Sequence, residues 1–229
     1  MREIVYAIDI ETVSQGKVAK DYTDNQSYAL GNVKDPVKIE AKLKEKKGEA
    51  AKKHGLSWWL GKVCSVAIID LHGDSNCVMY GYDEKEVLQQ LSDYINSGPV
   101  KLIGKNSQTF DFPFLIGRYM ANGLPIPGVL KKRGSCLDVE NFFGYSSASG
   151  QRSKLCNYAH GLGIGEKTLH GSMVQELYST AVMAKMEGKK KEEKATWKSI
   201  TDYNLQDSQI VKEMALKYYG PEIGDIYGS

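Results

Sequence analysis

The segment at residues 4–10 constrains the fold of this chain more than any other. It reads IVYAIDI, so almost every position is apolar and several are β-branched, until acidic side chains appear at its end. An apolar run of this kind is typical of a central strand that is buried on both faces of a sheet. Both faces must then be covered, which predicts a layered protein with helices packed against a sheet.

The segments that follow alternate between strand and helix patterns. Two strand-like runs at 63–71 and 77–82 flank a turn with Gly and Asn and predict an antiparallel hairpin. Further helices are predicted from apolar residues at helical spacing at 84–96, 112–122, 153–161, 171–186 and 196–219, and further strands at 100–104 and 135–139. This order predicts an α/β fold in which a mixed β-sheet is flanked by α-helices.

A polar, Lys-rich stretch at about 14–57 interrupts this pattern. Its first part, 14–33, has no sustained period and is predicted to be loop. The run at 35–54 is predicted to be a surface helix, because Asp35 can cap its N-terminus and Pro36 suits the first turn. We expect all 229 residues to form one domain that carries this stretch as an insertion.

Composition and charge exclude several classes of protein. No apolar run approaches the roughly 20 residues that a membrane span needs, and acidic residues interrupt the N-terminal apolar run before a signal-peptide core can form. We therefore expect a soluble, cytoplasmic protein. No G-x-S-x-G motif is present, so serine hydrolase chemistry has no support. The formal net charge of +2 is too small to indicate nucleic-acid binding by itself.

Cysteine and histidine do not occur in the spacing of a metal site. The cysteines form no C-x-x-C pair, and we interpret them as reduced and mostly buried: Cys64, Cys77, Cys136 and Cys156. The histidines also lack ligand spacing, and we interpret them as surface or structural residues: His54, His72, His160 and His170.

Two acidic residues close the first predicted strand. Asp9 and Glu11 stand at positions i and i+2, so both side chains leave the same face of the sheet. Two carboxylates there would repel each other and resist burial unless a cation lay between them. The alternative is that the strand ends at this point and both groups face water.

Two later segments supply further carboxylates at the ends of elements. Asp111 lies between a predicted strand and a predicted helix, where its simplest role is a helix N-cap. Tyr203 and Asp207 are four residues apart in the terminal helix and therefore project from one face. Three separated segments thus offer carboxylates, and together they indicate a metal site.

These segments, in this order, resemble the three exonuclease motifs of the DEDD superfamily. The motifs are IDIET, N-x-x-x-F-D-x-P-F-L and Y-N-x-x-D, and they span residues 6–207. Tyrosine at 203, where other members have histidine, is similar to the DEDDy branch. Asn106, Pro113 and Asn204 make the chain most similar to the exonuclease domain of family B DNA polymerases. The insertion at 14–57 carries no motif.

The resemblance implies a ribonuclease H-like fold and 3′–5′ exonuclease activity with two divalent cations, Mg²⁺ or Mn²⁺. Ligation by carboxylates alone suits these hard ions better than zinc. By the resemblance, Asp9 bridges both metals, Glu11 and Asp207 hold the metal on the side of the attacking water, and Asp111 supports the second. Tyr203 would orient the attacking water by a hydrogen bond, since a phenol with its ordinary pKa near 10 is a poor general base.

The expected partner is a nucleic acid with a free 3′ end. Single-stranded DNA is favoured and RNA is the alternative, as is a non-catalytic binding module of the same fold. A polymerase or another replication or repair protein as partner is left open, and no membrane partner is expected. The resemblance places Thr12, Asn106 and Phe110 near the substrate, with ordinary packing as the alternative for Thr12 and Phe110.

Two further hypotheses concern residues outside the motifs. Trp58 and Trp59 could stack on bases, although packing in the core is the favoured interpretation. Selected lysines of the insertion could grip the phosphate backbone, with a merely solvated face as the alternative: Lys42, Lys46, Lys52 and Lys53.

Overall fold

The computed structural model describes residues 3–96, 98–132, 134–143, 154–165 and 170–220. Within them, five strands form one sheet: β1 (Ile4–Ser14), β2 (Gly61–Asp70), β3 (Asn76–Tyr80), β4 (Val100–Gly104) and β5 (Cys136–Asp138). The helices are α1 (Lys17–Asn25), α2 (Pro36–Ala51), α3 (Glu84–Ile95), α4 (Asp111–Ala121), α5 (Gly128–Lys131), α6 (Leu155–Leu162), α7 (Val174–Met186) and α8 (Lys190–Tyr219). Short 3-10 helices occur at His54–Leu56, Val139–Phe143 and Gly171–Met173.

The strand order is β3-β2-β1-β4-β5, and the first strand of the chain lies at the centre. β1 pairs antiparallel with β2, which pairs antiparallel with β3 in the predicted hairpin. On its other side β1 pairs parallel with β4, and β4 pairs parallel with β5. The prediction of a mixed sheet with helices on it is therefore confirmed.

Alternate residues of β1 pack into different layers. Tyr6, Ile8 and Ile10 lie in a buried cluster with side chains of α3 and α4. Val5 and Ala7 point to the opposite face and lie in a cluster with side chains of α6 and α8. Because side chains alternate along a strand, odd-numbered positions of β1 face α8 and even-numbered positions face α3 and α4.

Helix α8 lies across the odd-numbered face of β1. Its buried stripe recurs every three or four residues and includes polar side chains in the middle: Ile200, Tyr203, Asn204, Asp207, Ser208, Val211 and Met214. The hydroxyl of Ser208 donates to the carbonyl of Ala67 in β2 at 3.2 Å, which ties this stripe to the sheet. The helix begins at Lys190 rather than at residue 196 as predicted, and acidic residues in its first turn favour that earlier start.

The insertion has more structure than its sequence predicts. Asp35 caps α2 as expected, accepting from the amides of Val37 and Lys38. The prediction of loop over 14–33 is wrong for α1. This helix buries only Ala19 and Thr23, so its sequence has no apolar stripe from which a helix could be predicted.

A buried tertiary contact holds α1 in place. The hydroxyl of Thr23 lies 2.6 Å from Nε2 of His54, and both side chains are buried. The same hydroxyl donates to the carbonyl of Ala19 at 3.0 Å. The helix therefore depends on a residue 31 positions later in the chain, which no local pattern predicts.

The other predicted elements are found within a few residues of their expected bounds. The helix predicted at 153–161 corresponds to α6, although residue 153 itself lies outside the described residues. Among the residues that the structure describes, no helix combines the length and apolarity needed to cross a membrane.

Candidate metal centre

The C-terminal half of β1 brings Asp9 and Glu11 to the face that α8 covers. Both continue the odd-numbered series of Val5 and Ala7, so the alternation of the strand places them there. The pairing of β1 with β2 shifts register between Glu11 and Thr12. A register shift of this kind redirects nearby side chains and is frequent beside functional sites.

Helix α8 supplies the third carboxylate. Asp9, Glu11 and Asp207 each offer one oxygen, and these oxygens all lie within 4.8 Å of one another. Glu11 and Asp207 are buried and Asp9 is half-buried. Three carboxylates this close repel one another, so the arrangement favours a bound cation.

Tyr203 lies one helical turn before Asp207 and is 3% exposed. Burial raises the pKa of its phenol well above the ordinary value, and the nearby charges of Asp207, Glu11 and Asp9 raise this pKa further. The phenol also forms a hydrogen bond with Asp207. Gly171 packs close to it, because a Cβ added at Gly171 would lie 3.3 Å from the phenol oxygen.

Asn204 links the helix to the sheet at the same point. Its amide nitrogen donates to Oδ2 of Asp9 at 2.7 Å, and its amide oxygen accepts from the hydroxyl of Ser65 in β2 at 2.7 Å. Both Asn204 and Ser65 are fully buried. Asn204 therefore holds one oxygen of Asp9 in a fixed position.

Asp111 does not belong to the group of three converging carboxylates. It comes from α4, which packs on the opposite face of the sheet, and it reaches the edge of β1 beyond the end of β4. There its Oδ1 accepts from the amide of Ile10 at 3.3 Å. Burial raises the pKa of Asp111 to about 7. Asp111 is the first residue of α4 and not its N-cap, a position that Phe110 occupies.

The loop before Asp111 is organised by Asp138, at the end of β5. The Asp138 carboxylate accepts from the amides of Asn106 at 2.8 Å, Gln108 at 3.1 Å and Glu140 at 2.9 Å. Asn106 adopts a left-handed conformation with φ of 59°, which asparagine tolerates better than most residues. Sequence reasoning missed Asp138, although an acidic residue at the end of a strand is the same signal that Asp9 and Glu11 give.

A cavity of about 670 Å³ opens beside the carboxylates. Four of the predicted residues line it: Asp9, Asn106, Tyr203 and Asp207. Sequence reasoning missed the rest of its lining, which comes from four separate segments: Leu56, Lys105, Lys154, Leu155, Cys156, His170 and Gly171. Lys105 forms an ion pair of 3.0 Å with Glu140.

Two of the predicted substrate-binding residues lie away from this cavity. Thr12 is half-buried on the even-numbered side of β1, and Phe110 packs against Phe114 with ring centroids 5.5 Å apart. Neither is among the described residues that line the cavity. Their contact with substrate therefore stays a prediction.

No protein-family model and no curated protein sequence matches the chain. Solved structures do match it, among them the family B DNA polymerase from the hyperthermophilic archaeon Pyrobaculum calidifontis. The TM-score is 0.57 and the sequence identity 18% over 95% of this chain, which spans 24% of the polymerase. At this identity the likeness establishes the fold alone, a mixed five-stranded sheet flanked by helices that is shared with part of a DNA polymerase.

Proposed function

We propose that this chain is a metal-dependent 3′–5′ exonuclease that hydrolyses phosphodiester bonds at the 3′ end of nucleic acid. The observation that carries the proposal is the convergence of Asp9, Glu11 and Asp207 beside the buried phenol of Tyr203. The three sequence motifs that resemble DEDDy exonucleases contain all four residues, and the polymerase-like fold supports the same assignment.

The converging group fits divalent cations of the Mg²⁺ or Mn²⁺ type. Its donors are three carboxylate oxygens with no imidazole or thiolate among them, which is the ligand chemistry of these hard ions. Asp9, Glu11 and Asp207 would hold one cation, and Asp111 with Asp9 would hold the second. When bound, the cations supply charge that stabilises the attacking and leaving oxygens of the displacement.

The side chains around the carboxylates have separate tasks. Asn204 holds Asp9 in one orientation through a 2.7 Å hydrogen bond. Tyr203 keeps its proton because its pKa is raised, so its hydroxyl orients the attacking water and does not act as a base. Lys154 lines the cavity and offsets the negative charge that phosphate brings to an acidic site, whereas Lys105, which also lines the cavity, is paired with Glu140.

DNA is the substrate we favour, because the matched fold belongs to a DNA polymerase. The same chemistry would serve an RNA exonuclease, which is the second candidate for the substrate. A non-catalytic nucleic-acid-binding module is a candidate of another class. It is less favoured because each carboxylate of the three motifs is present in this sequence.

Digestion of end-labelled oligonucleotides tests the proposal. Purified protein is incubated with single-stranded DNA, duplex DNA or RNA that carries a label at the 5′ or the 3′ end, with Mg²⁺, Mn²⁺ or a chelator. We expect shortening from the 3′ end, no activity with the chelator, and a preference for single-stranded DNA. Activity that survives chelation or returns only with zinc contradicts the metal assignment, and binding without digestion supports the non-catalytic module.

A further inference from the structure

The 3-10 helix His54–Leu56 and the turn that joins it to β2 expose three large apolar side chains. Trp58 is 41% exposed, Trp59 is 51% exposed and Leu56 is 62% exposed. The favoured sequence interpretation, that both tryptophans pack in the core, is therefore wrong. The two indoles meet edge to face with ring centroids 5.7 Å apart. Exposed aromatic pairs are costly to maintain and commonly mark a binding surface.

Hydrogen bonds from two side chains hold the main chain of this turn in place. The carbonyl of Trp58 accepts from Nη1 of Arg118 at 2.9 Å. Arg118 is buried and makes a forked contact with the buried carboxylate of Glu84, with Nη2 at 2.6 Å and Nε at 2.9 Å from its oxygens. The carbonyl of Trp59 accepts from the side-chain amide of Gln15 at 3.2 Å.

The ring of Trp58 rests on α4. A Cβ added at Gly117 would lie 2.5 Å from Cδ2 of this indole, so the absence of a side chain there admits the ring. Gly117 is six residues after Asp111, a distance of about 9 Å along the helix. Trp58 thus packs on α4 less than two turns from Asp111.

The 3-10 helix before this turn reaches the cavity beside the converging carboxylates. Leu56, two residues before Trp58, lines the cavity together with Asp9 and Tyr203. Exposed Lys52 and Lys53 precede the turn. Apolar faces next to positive charge suit a polyanion with unpaired bases, since bases stack on aromatic rings while lysines contact phosphates. An apolar protein partner would gain nothing from this charge.

We propose that Trp58 and Trp59 form a stacking platform for unpaired bases of a single-stranded nucleic acid whose 3′ end enters the cavity at Asp9. The inference rests on the proposed function for the direction of the strand. It assigns the substrate class as unpaired DNA or RNA, because every base has a face that an indole can contact. The backbone bonds from Arg118 and Gln15 keep the platform in place before substrate binds.

Binding of a fluorescent oligonucleotide in the presence of a chelator tests the inference without any turnover. The variants are Trp59→Ala, Trp59→Phe and Tyr80→Ala, the last removing an exposed aromatic from the edge strand β3. Single-stranded DNA, RNA of the same sequence and an abasic strand are the three ligands. We expect Trp59→Ala to raise Kd for DNA or RNA about fivefold or more. Trp59→Phe and Tyr80→Ala should stay within about twofold of the wild type.

The abasic strand separates stacking from other effects. Wild type and Trp59→Ala should bind it with the same Kd, because it has no bases to stack. Bases should also quench the intrinsic fluorescence of the wild type, in which Trp58 and Trp59 are exposed while Trp197 is buried.

An unchanged Kd in folded Trp59→Ala, or equal losses on normal and abasic strands, overturns the inference. Absence of wild-type binding to every strand also overturns it. Failure of the exonuclease proposal has a different signature, which is base-dependent binding and quenching without digestion. If Trp59→Ala digests its substrate with a normal KM, the stacking platform is contradicted and the exonuclease proposal is not.

Discussion

The side-chain amide of Asn204 donates a 2.7 Å hydrogen bond to Oδ2 of Asp9 and joins helix α8 to the central strand at the candidate metal centre. The same amide accepts from Ser65, so its orientation is fixed by β2. A carboxylate held in this way presents its other oxygen in one direction. Such supporting hydrogen bonds orient metal ligands and are worth about 10–100-fold in metal affinity or activity.

Asn204→Ala should therefore lower activity by about 10–100-fold and raise the Mg²⁺ concentration needed for half-maximal rate. Asn204→Asp should be worse, because it replaces a donor with a second negative charge beside Asp9. Asp202→Ala is the matched control, since Asp202 is an exposed carboxylate on the same helix, paired with Lys198. Equal effects of Asn204→Ala and Asp202→Ala would contradict the orienting role.

Removal of a carboxylate from the converging group should abolish metal-dependent stabilisation. Mg²⁺ or Mn²⁺ should raise the Tm of the wild type, because a ligand that binds only the folded state stabilises it. Asp9→Asn and Asp207→Asn should lose this shift and about a thousandfold or more of the turnover. Without metal, both variants should be at least as stable as the wild type, since the repulsion among carboxylates within 4.8 Å is reduced.

Thermal unfolding with and without metal, together with single-turnover digestion, checks that prediction. Asp74→Asn is the control, because Asp74 is exposed in the β2–β3 turn. A normal metal-induced shift in Asp207→Asn would remove that residue from the ligand set.

Tyr203→Phe should cost less than either carboxylate substitution. It deletes one hydrogen bond and leaves the ligands in place, which corresponds to about a tenfold fall in kcat. The ordinary pKa of a phenol lies near 10 and burial raises the pKa of Tyr203 further, so we expect the pH–rate profile between pH 7 and 9 to keep its shape in the variant. A loss as large as that of Asp207→Asn, or a changed profile, would indicate a proton-transfer role.

The lysines of the insertion divide into two kinds. Lys42 donates to the carbonyl of Leu30 at 2.8 Å and Lys46 pairs with Glu49 at 3.0 Å. Their long side chains therefore contact the protein itself, which weakens the hypothesis that they grip phosphates. Lys52 and Lys53 are exposed and lie just before Leu56, which lines the cavity.

Replacing Lys52 and Lys53 with alanine should raise KM and leave kcat nearly unchanged, because ground-state and transition-state binding are lost together. Each phosphate contact to a single-stranded nucleic acid adds about 0.7 to the slope of log Kd against log salt concentration, so the loss of both lysines should lower this slope by about 1.4. Lys190→Ala with Lys191→Ala removes the same charge from the exposed start of α8, about 20 Å along the helix from Tyr203. Equal effects of the two pairs would assign the change to net charge alone.

The contact between His54 and Thr23 makes the insertion sensitive to acid. Burial lowers the pKa of His54 below its ordinary value, so the unfolded chain binds a proton more readily than the folded chain. The stability from this residue is then fully present above about pH 6.5 and is lost as the pH falls through the lowered pKa.

Urea unfolding at pH 7.5 and pH 5.5 measures this effect. When the pH is lowered from 7.5 to 5.5, we expect the free energy of unfolding to fall less in His54→Gln than in the wild type. His72→Gln, in which an exposed histidine is replaced, should lose as much as the wild type. An identical loss in all three proteins would show that His54 does not contribute to the pH dependence.

The amino-acid sequence by itself determined which side chains share a face. The two-residue period of β1 puts Asp9 and Glu11 on one side of the sheet, and the helical period of α8 aligns Tyr203 with Asp207. These are local properties of strand and helix geometry, so they follow from spacing alone. The apolar character of residues 4–10 likewise predicted a central strand with helices on both faces, which the structure has.

Only the tertiary structure decided which of these faces meet. Asp9 and Asn204 are 195 residues apart, and their contact depends on how α8 packs across β1. Asp111 comes from the opposite layer and meets the edge of β1, because β4 ends early and the amide of Ile10 donates to the Asp111 carboxylate. The exposure of Trp59 likewise depends on packing around its turn. Such contacts join segments far apart in the chain, and no local period encodes them.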